Sequence, residues 1–424
     1  AFMEKRPFEP DDARLVYLED LAQQVSFFDK LVGGYQAKFC SPEKIDRIHD
    51  LDSIQPEDLL TIIFTSGSTG NPKGVKLSNR NVSSNIAAVN DLFHITEKDV
   101  ILGVLPFFHS FGYTGTLWLT MSLEASSVYH FNPLDSRTVG TLSDEHDVSI
   151  ILATPTFLRS YMRRCTPEQM HHLDLVIVGA EKLPKDLAEQ FKEKFGVEPT
   201  EGYGTTELSP VASMNVPDHR ASEGTPPGTR LGTVGKVAPG SEIKVVDPDS
   251  RADLGLDTEG LLVYRGPNVM VGYLNNDEAT AEKIRDGWYD TGDMGVIDEE
   301  GFITITGRMS RFSKIGGEMV PHIKIEQELE RLIEGEDEDP MIQVAVTAVP
   351  DARKGERLIV LHRPLGDKTI DGLLQSLSDL GLPNIWIPSS DSFLEGEEIP
   401  LLGTGKMDLK AVQQVATDNF TDGE

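Results

Sequence analysis

Between Asp99 and Gly204, short β-branched apolar runs alternate with longer segments of helical spacing, and few folds satisfy that alternation. Residues 100–105, 127–130, 148–153 and 173–178 read as strands. Residues 135–145, 156–164 and 185–195 read as helices between them. Antiparallel strands can be joined by a tight turn, whereas parallel strands need a crossover of a dozen or more residues. The spacing therefore predicts βαβ units, a mostly parallel sheet and the α/β class.

The chain of 424 residues is long enough for more than one domain. From residue 226 to 307 the composition turns to Gly, Pro and Asp, with strand-like runs at 242–246, 260–265 and 302–306. That texture predicts an antiparallel sheet or small barrel-like subdomain over 226–309. A second α+β pattern follows, with helical spacing at 323–333 and 370–380 and strands at 342–349 and 358–362. The acidic run 334–339 reads as a solvated loop. A boundary is expected near residues 309–311, dividing a large domain, 1–309, from a small C-terminal one, 310–424.

Charge and cysteine content exclude several classes. Lys and Arg number 39 against 69 Asp and Glu, a formal charge of −30. Nucleic acid and anionic membrane attract basic surfaces, so neither is an expected partner. Two cysteines, Cys40 and Cys165, make no disulfide framework and fit a reducing, cytoplasmic setting. The longest apolar runs, such as 100–108, are too short to span a bilayer, and residues 1–10 do not read as a secretory signal.

The most telling local segment is Thr65-Ser66-Gly67-Ser68-Thr69-Gly70-Asn71-Pro72-Lys73-Gly74, after an apolar strand at 59–64 and before a helical pattern at 79–92. Its glycines let backbone N–H groups converge on an anion, its hydroxyls add donors, and Lys73 adds charge. The spacing is not that of a Walker A loop. Alone, the segment could equally be a flexible turn. Gly179-Ala180-Glu181 and Glu201-Gly202-Tyr203-Gly204-Thr205-Thr206-Glu207 end successive strands, and open α/β sheets bind ligands beyond such ends. Tyr203 could offer its ring to a flat base, and Glu207 is a hard oxygen ligand suited to Mg²⁺. Tyr289-Asp290-Thr291-Gly292-Asp293 reads as a turn whose carboxylates could accept from a ribose diol, with Arg308 following. Lys406 stands on a glycine-rich loop near the C-terminus.

In this order and over residues 58–409, the set resembles the adenylate-forming superfamily of acyl-CoA synthetases, peptide-synthetase adenylation domains and luciferases. Residues 314–320 and 201–215 are most similar to acyl-ACP synthetases, in particular the synthetase half of the bifunctional 2-acylglycerophosphoethanolamine acyltransferase/acyl-ACP synthetases. The resemblance implies a large multi-sheet AMP-binding domain and a mobile small domain, with ATP/AMP and Mg²⁺ as cofactors. Thr65, Ser66, Gly67, Ser68, Thr69, Gly70 and Lys73 would cradle the outer phosphates. Gly179, Ala180, Glu181, Gly202 and Tyr203, with Gly204 and Thr205, would line the adenosine site. Thr206 would touch the α-phosphate, Glu207 would bind Mg²⁺, and Asp293 would hold the ribose beside Arg308. Lys406 would be the adenylation lysine, and His109 would stand at the mouth of an acyl pocket walled by Phe107, Phe108, Phe111, Trp118 and Leu119.

The implied reaction is activation of a fatty acid to its acyl-adenylate and transfer to the phosphopantetheine thiol of acyl carrier protein. The alternatives are a long-chain fatty acid–CoA ligase and a nucleotide-binding remnant without turnover. A basic face at Arg159, Arg163 and Arg164 could receive either carrier protein or CoA. Relatives carry a longer stretch before the phosphate loop, so the large domain is expected to be N-terminally truncated. A full-length parent could bring this part to the cytoplasmic face of the inner membrane through a fused or associated acyltransferase. Ser310 stands where the family's hinge usually has Asp or Lys. The acyltransferase spacing His-x4-Asp occurs at 94/99, 130/135 and 362/367, without that family's flanking context.

Overall fold

In the computed structural model, the alternating segment forms a seven-stranded sheet. Its order is Ser126–Tyr129, Val100–Gly103, Ile150–Ala153, Leu175–Val178, Pro199–Gly204, Val211–Met214 and Lys236–Val237. The first five strands are parallel and the last two pair antiparallel. The described residues are 18–65, 72–221, 228–334, 342–351, 353–401 and 407–420. The chain divides after Asp58 into two compact units.

The central strands are buried on both faces, and period-2 geometry sorts their side chains into two cores. Ile150, Leu152, Leu175 and Ile177 face a core shared with the helix Asn79–Phe93 through Ile86 and Val89. Ile151, Ala153, Val176 and Val178 face the opposite core. Leu158, Leu187 and Phe191 fill that second core from the helices Pro155–Arg164 and Lys185–Phe195. Each fully buried large aliphatic side chain contributes about 1.5–3 kcal/mol, so the two cores fix the strand ends that carry the candidate site.

Among the described residues four further sheets complete the second unit's frame, one of them the two-stranded pair Phe312–Ile315 and Glu318–Pro321. Leu59–Thr65 and Lys73–Ser78 form an antiparallel hairpin extended by Gly272–Tyr273. The strand Lys73–Ser78 corrects the expected strand–loop–helix order. Its Val75 and Leu77 are fully buried on either side of Lys76, a short alternation that the sequence reading passed over. Glu242–Val246, Gly260–Arg265, Trp288–Ile297, Ile284–Arg285 and Ile303–Arg308 form an antiparallel sheet, the first of the two alternatives expected there.

The C-terminal part, a small α+β domain, builds its sheet from Val344–Asp351, Gly355–His362 and Phe393–Glu395. Val344, Val346, Leu358 and Val360 pack against Ile325, Leu329, Leu373 and Leu377. Ala345, Ile359 and Leu361 pack against Val412 and Ala416 on the other face. Most of the acidic run, residues 335–339, lies outside the described residues.

The first unit contains the helices Leu18–Gln24, Phe27–Phe39 and Pro42–Ile48. Ser26 starts the middle one with a capping box, its Oγ accepting from Asp29 N at 3.2 Å while Asp29 Oδ2 accepts from Ser26 N at 2.8 Å.

Candidate active site

The antiparallel hairpin brings Thr65 directly opposite Lys73 at the end where its two strands are connected. Ser66, Gly67, Ser68, Thr69 and Gly70 lie outside the described residues, as does Lys406. Leu401 and Met407 on either side of the Lys406 segment pair as an isolated antiparallel bridge.

Lys73 Nζ stands 5.0 Å from the centroid of the Tyr273 ring. The Tyr273 hydroxyl donates to Glu207 Oε1 at 2.8 Å. Lys73, expected to meet the outer phosphates, and Glu207, the expected metal carboxylate, are thus joined by one aromatic side chain. Burial first, and the Glu207 charge second, raise the Tyr273 hydroxyl well above its ordinary pKa, so it remains a donor. Tyr273 was missed in the sequence; its only signal was a Gly-Tyr pair matching that at 202–203.

Thr206, buried beside Glu207, places Oγ1 3.2 Å from Ser110 Oγ. Ser110 follows His109, which is exposed and caps the next helical turn, its Nδ1 accepting from Phe111 N at 3.3 Å. The structure therefore brings the His109 and Thr206 segments together through Ser110, a residue that sequence reasoning did not single out.

Asp293 is 5% exposed. Its Oδ2 accepts from the Tyr203 hydroxyl at 2.5 Å, and its Oδ1 lies 3.3 Å from Arg308 Nε. Burial raises the Asp293 carboxyl pKa, opposed by the Tyr203 hydrogen bond and the Arg308 charge. The Glu207 charge also acts on Asp293, so the two acids share one site. Residues 289–293 are not the expected turn but part of the strand Trp288–Ile297. The ladder shifts register there, Gly292 takes φ 73°, and Thr291 Oγ1 donates to Leu262 O at 2.7 Å while accepting from Asp293 N at 3.0 Å. Such a bulge re-aims side chains. It separates Asp293 from Asp290, which is engaged by Arg251 at 2.9 Å.

Gly179 is buried and its amide donates to Ala153 O at 3.2 Å. Ala180 is exposed and held at φ 68°, a left-handed conformation that costs an L-residue about 1–2 kcal/mol. Glu181 accepts from Thr156 Oγ1 at 2.8 Å. The glycines flanking Tyr203 serve the chain's own packing. A Cβ on Gly202 would lie 3.2 Å from Met214 Cγ, and one on Gly204 only 1.9 Å from the Pro210 carbonyl oxygen.

Beside this cluster an apolar cavity is lined by residues that include Phe111, Gly115, Leu119, Leu152, Ile177 and Met214. The expected aromatic wall is only partly formed. Phe107 and Phe108 are exposed, because the turn from Pro106 to His109 projects them outward before the helix starts. Phe107 packs edge-on against Tyr129 at 5.5 Å, and Trp118 against Tyr113 at 6.2 Å. Phe111 and Leu119 do line the cavity, and a Cβ on Gly179 would meet Phe111 Cε1 at 3.3 Å. The acyltransferase spacing gains no support. Asp99 is paired with Arg220 at 2.8 Å, and Asp135, 3.4 Å from His130, caps a helix through Thr138.

Among the described residues no three His, Cys, Asp or Glu side chains converge as a metal site. Glu207 Oε2 has no hydrogen bond there, Oε1 being held by Tyr273. Mg²⁺ is commonly bound by one or two carboxylates together with phosphate oxygens, so this donor set fits Mg²⁺ arriving with a nucleotide.

Comparison with known proteins decides the family: the model described as AMP-binding enzyme matches residues 12–274. The chain belongs to the AMP-binding enzyme family. It is 28% identical over 407 residues to a long-chain-fatty-acid–CoA ligase of Bacillus subtilis, covering 92% of this chain and 68% of that one. Its fold matches ATP-bound MatB from Rhodopseudomonas palustris with TM-score 0.70 and 28% identity, over 87% of this chain and 70% of MatB. It matches O-succinylbenzoate coenzyme A synthetase (MenE) from Bacillus subtilis, in complex with ATP and magnesium ion, with TM-score 0.68 and 26% identity. That match covers 85% of this chain and 71% of MenE. The chain thus spans about two thirds of these relatives' length. The AMP-binding family's adenylate-forming fold, ligase chemistry and ATP/AMP and Mg²⁺ cofactors apply here. No described helix is long and apolar enough to cross a membrane.

Proposed function

We propose that this protein activates a fatty acid with ATP and passes the acyl group to a phosphopantetheine thiol. The observation that carries this reading is the apolar cavity beside the Thr206–Glu207 segment. Phe111 lines the cavity and abuts Gly179, while the adjoining Ser110 contacts Thr206. A carboxylate whose alkyl chain enters that cavity meets the α-phosphate region with its polar end.

In the first step the carboxylate attacks the α-phosphorus, forming acyl-adenylate and releasing pyrophosphate. Thr206 orients the α-phosphate, Lys73 holds the outer phosphates, and Asp293 accepts from the ribose hydroxyls, with Tyr203 at the base. Glu207 would hold Mg²⁺, which neutralises phosphate charge. Lys406 bridges carboxylate and α-phosphate as charge builds on both. In the second step the thiol attacks the acyl carbonyl and AMP leaves.

Residues 310–424 are proposed to turn between steps, carrying Lys406 away, with Ser310 as hinge. Arg311 supports this unit: it is buried, pairs with Glu326 and reaches Met407 Sδ at 3.8 Å. The thiol is assigned to acyl carrier protein, with CoA as the alternative that the relatives' names favour. An acidic carrier needs a basic face on a chain of net charge −30, and Arg159, Arg163 and Arg164, exposed and without an ion pair among the described residues, offer one that CoA could also use. Both reaction and acceptor are tested by ATP–pyrophosphate exchange with fatty acids of several lengths, followed by addition of CoA or carrier protein. Acid-dependent exchange that collapses in Lys406→Ala is expected. ATP binding without exchange would reduce the chain to a nucleotide-binding remnant.

A further inference from the structure

We infer that Tyr273 is a positioning residue that couples the phosphate-loop lysine to the metal carboxylate, through two separable contacts. The inference rests on the proposed roles of Lys73 and Glu207.

The residue is fixed from three sides. Its strand, Gly272–Tyr273, pairs with the second hairpin strand, Tyr273 opposite Val75 and Gly272 opposite Lys76. Its amide donates to Thr280 Oγ1 at 2.9 Å, from the neighbouring helix Asp277–Lys283. Its side chain is 2% exposed and belongs to the core that holds Val75 and Leu77. Ring and hydroxyl therefore have little freedom, and what touches them is held in turn.

The hydroxyl occupies Glu207 Oε1 at 2.8 Å. That bond removes the carboxylate's rotational choice and leaves Oε2 to face an incoming cation. Partners of this kind, which touch the ligand group rather than the metal, typically account for about 10–100-fold in metal affinity. The ring face lies under Lys73 Nζ at 5.0 Å. A cation over a tyrosine face gains about 0.5–1 kcal/mol at an accessible site, so the ring holds the ammonium at the connected end of the hairpin, where Lys73 faces Thr65. A metal-bound triphosphate needs both groups at once, and one side chain sets the distance between them.

The contacts can be removed separately. Tyr273→Phe deletes the hydroxyl and keeps the ring; Tyr273→Leu deletes both. The full chain is titrated with ATP by calorimetry, once in EDTA and once across a Mg²⁺ series, and Mg²⁺ half-saturation of pyrophosphate exchange is recorded. For Tyr273→Phe, ATP affinity in EDTA is expected to match wild type while half-saturating Mg²⁺ rises about 10–100-fold, with exchange recovering at high Mg²⁺. Tyr273→Leu is expected to show the same Mg²⁺ shift and an additional two- to five-fold loss of ATP affinity in EDTA, about the value of the ring contact. In a Glu207→Gln background, Tyr273→Phe should add nothing to the Mg²⁺ dependence.

A merely structural tyrosine would lower the melting temperature and weaken ATP binding equally with and without Mg²⁺. That pattern overturns the inference, as does an unshifted Mg²⁺ requirement in either folded variant or full additivity with Glu207→Gln. Wild-type protein that binds no ATP, or binds it without any Mg²⁺ dependence, would instead overturn the functional reading on which the inference stands.

Discussion

The Tyr203 hydroxyl donates to Asp293 Oδ2 at 2.5 Å, tying the end of the parallel sheet to the bulged strand of the antiparallel one. The bond joins the residue expected at the base to the residue expected at the ribose. It also stabilises an acid that burial disfavours, for Asp293 keeps a raised pKa in spite of Tyr203 and Arg308.

The sign of the resulting pH effect is fixed. Below the ordinary value of 3.8 the carboxyl is protonated whether the chain is folded or not. As pH rises past 3.8 the unfolded chain ionises first, and stability is lost until pH passes the higher folded value. Asp293→Asn cannot ionise. It is expected to melt above wild type at neutral pH, with the gap closing toward acid, while losing about 10-fold or more in ATP affinity for want of a charged acceptor. Melting curves from pH 4 to 8 and ATP titration check the two halves. A variant no more stable than wild type at neutral pH would refute the burial cost.

Ser110→Ala tests the link between the acid side and the nucleotide side. It strands Thr206 Oγ1, now 3.2 Å from Ser110 Oγ, in a buried position. An unpaired buried hydroxyl costs about 1–3 kcal/mol of stability. If Thr206 orients the α-phosphate, exchange should slow about 10–100-fold through misplacement alone, with ATP affinity nearly unchanged. Single-turnover adenylation beside ATP titration separates the two, and an unaltered rate would make the contact purely structural.

What could be read in the sequence follows from where the information is local. Ile150 to Ala153 and Leu175 to Val178 are apolar at every position because both faces are covered, and their spacing from the helices gave the sheet. The segments at 65–73, 179–181 and 201–207 stood out in the sequence because glycine and hydroxyl residues cluster there. Strand Lys73–Ser78 did not, since Gly74 and two lysines dilute its alternation. Ser110 and Tyr273 did not either, because each matters through a partner 96 or 66 residues away. The exposure of Phe107 and Phe108 was equally hidden: the turn after Pro106, not their apolarity, decides where they point.

Gly115 lines the cavity beside Leu152. A Cβ there would stand 2.5 Å from Leu152 Cδ2, so even alanine must displace a cavity-lining side chain. Overpacking of this kind costs about 1–3 kcal/mol in stability. Each methylene excluded from a hydrophobic pocket is worth about 1–3 kcal/mol in discrimination. Gly115→Ala is therefore expected to depress kcat/KM for the longest accepted fatty acids by about 10-fold or more and to spare the shortest. A chain-length profile of pyrophosphate exchange, compared with wild type, reads it. Equal loss at every length would detach the cavity from the acyl chain.

The C-terminal part carries its own pH signature. His322 is 4% exposed, and its Nε2 lies 2.6 Å from Ser313 Oγ. Burial first, and the Arg311 cation second, lower its pKa from 6.5 to about 3. Above 6.5 the imidazole is neutral in both folded and unfolded chains, and its contribution to stability is complete. Below 6.5 the unfolded chain takes up the proton and the folded one does not, so stability drains away as pH falls toward 3. The slope from one such group approaches about 1.4 kcal/mol per pH unit. His322→Gln, which can still pair with Ser313, should flatten this group's part of the profile between pH 6 and 4 while lowering stability modestly at pH 7. Denaturant midpoints of wild type and variant across that range provide the measurement. Parallel profiles would mean that His322 takes up its proton at the same pH in the folded and unfolded chains, so that burial does not hold the imidazole neutral.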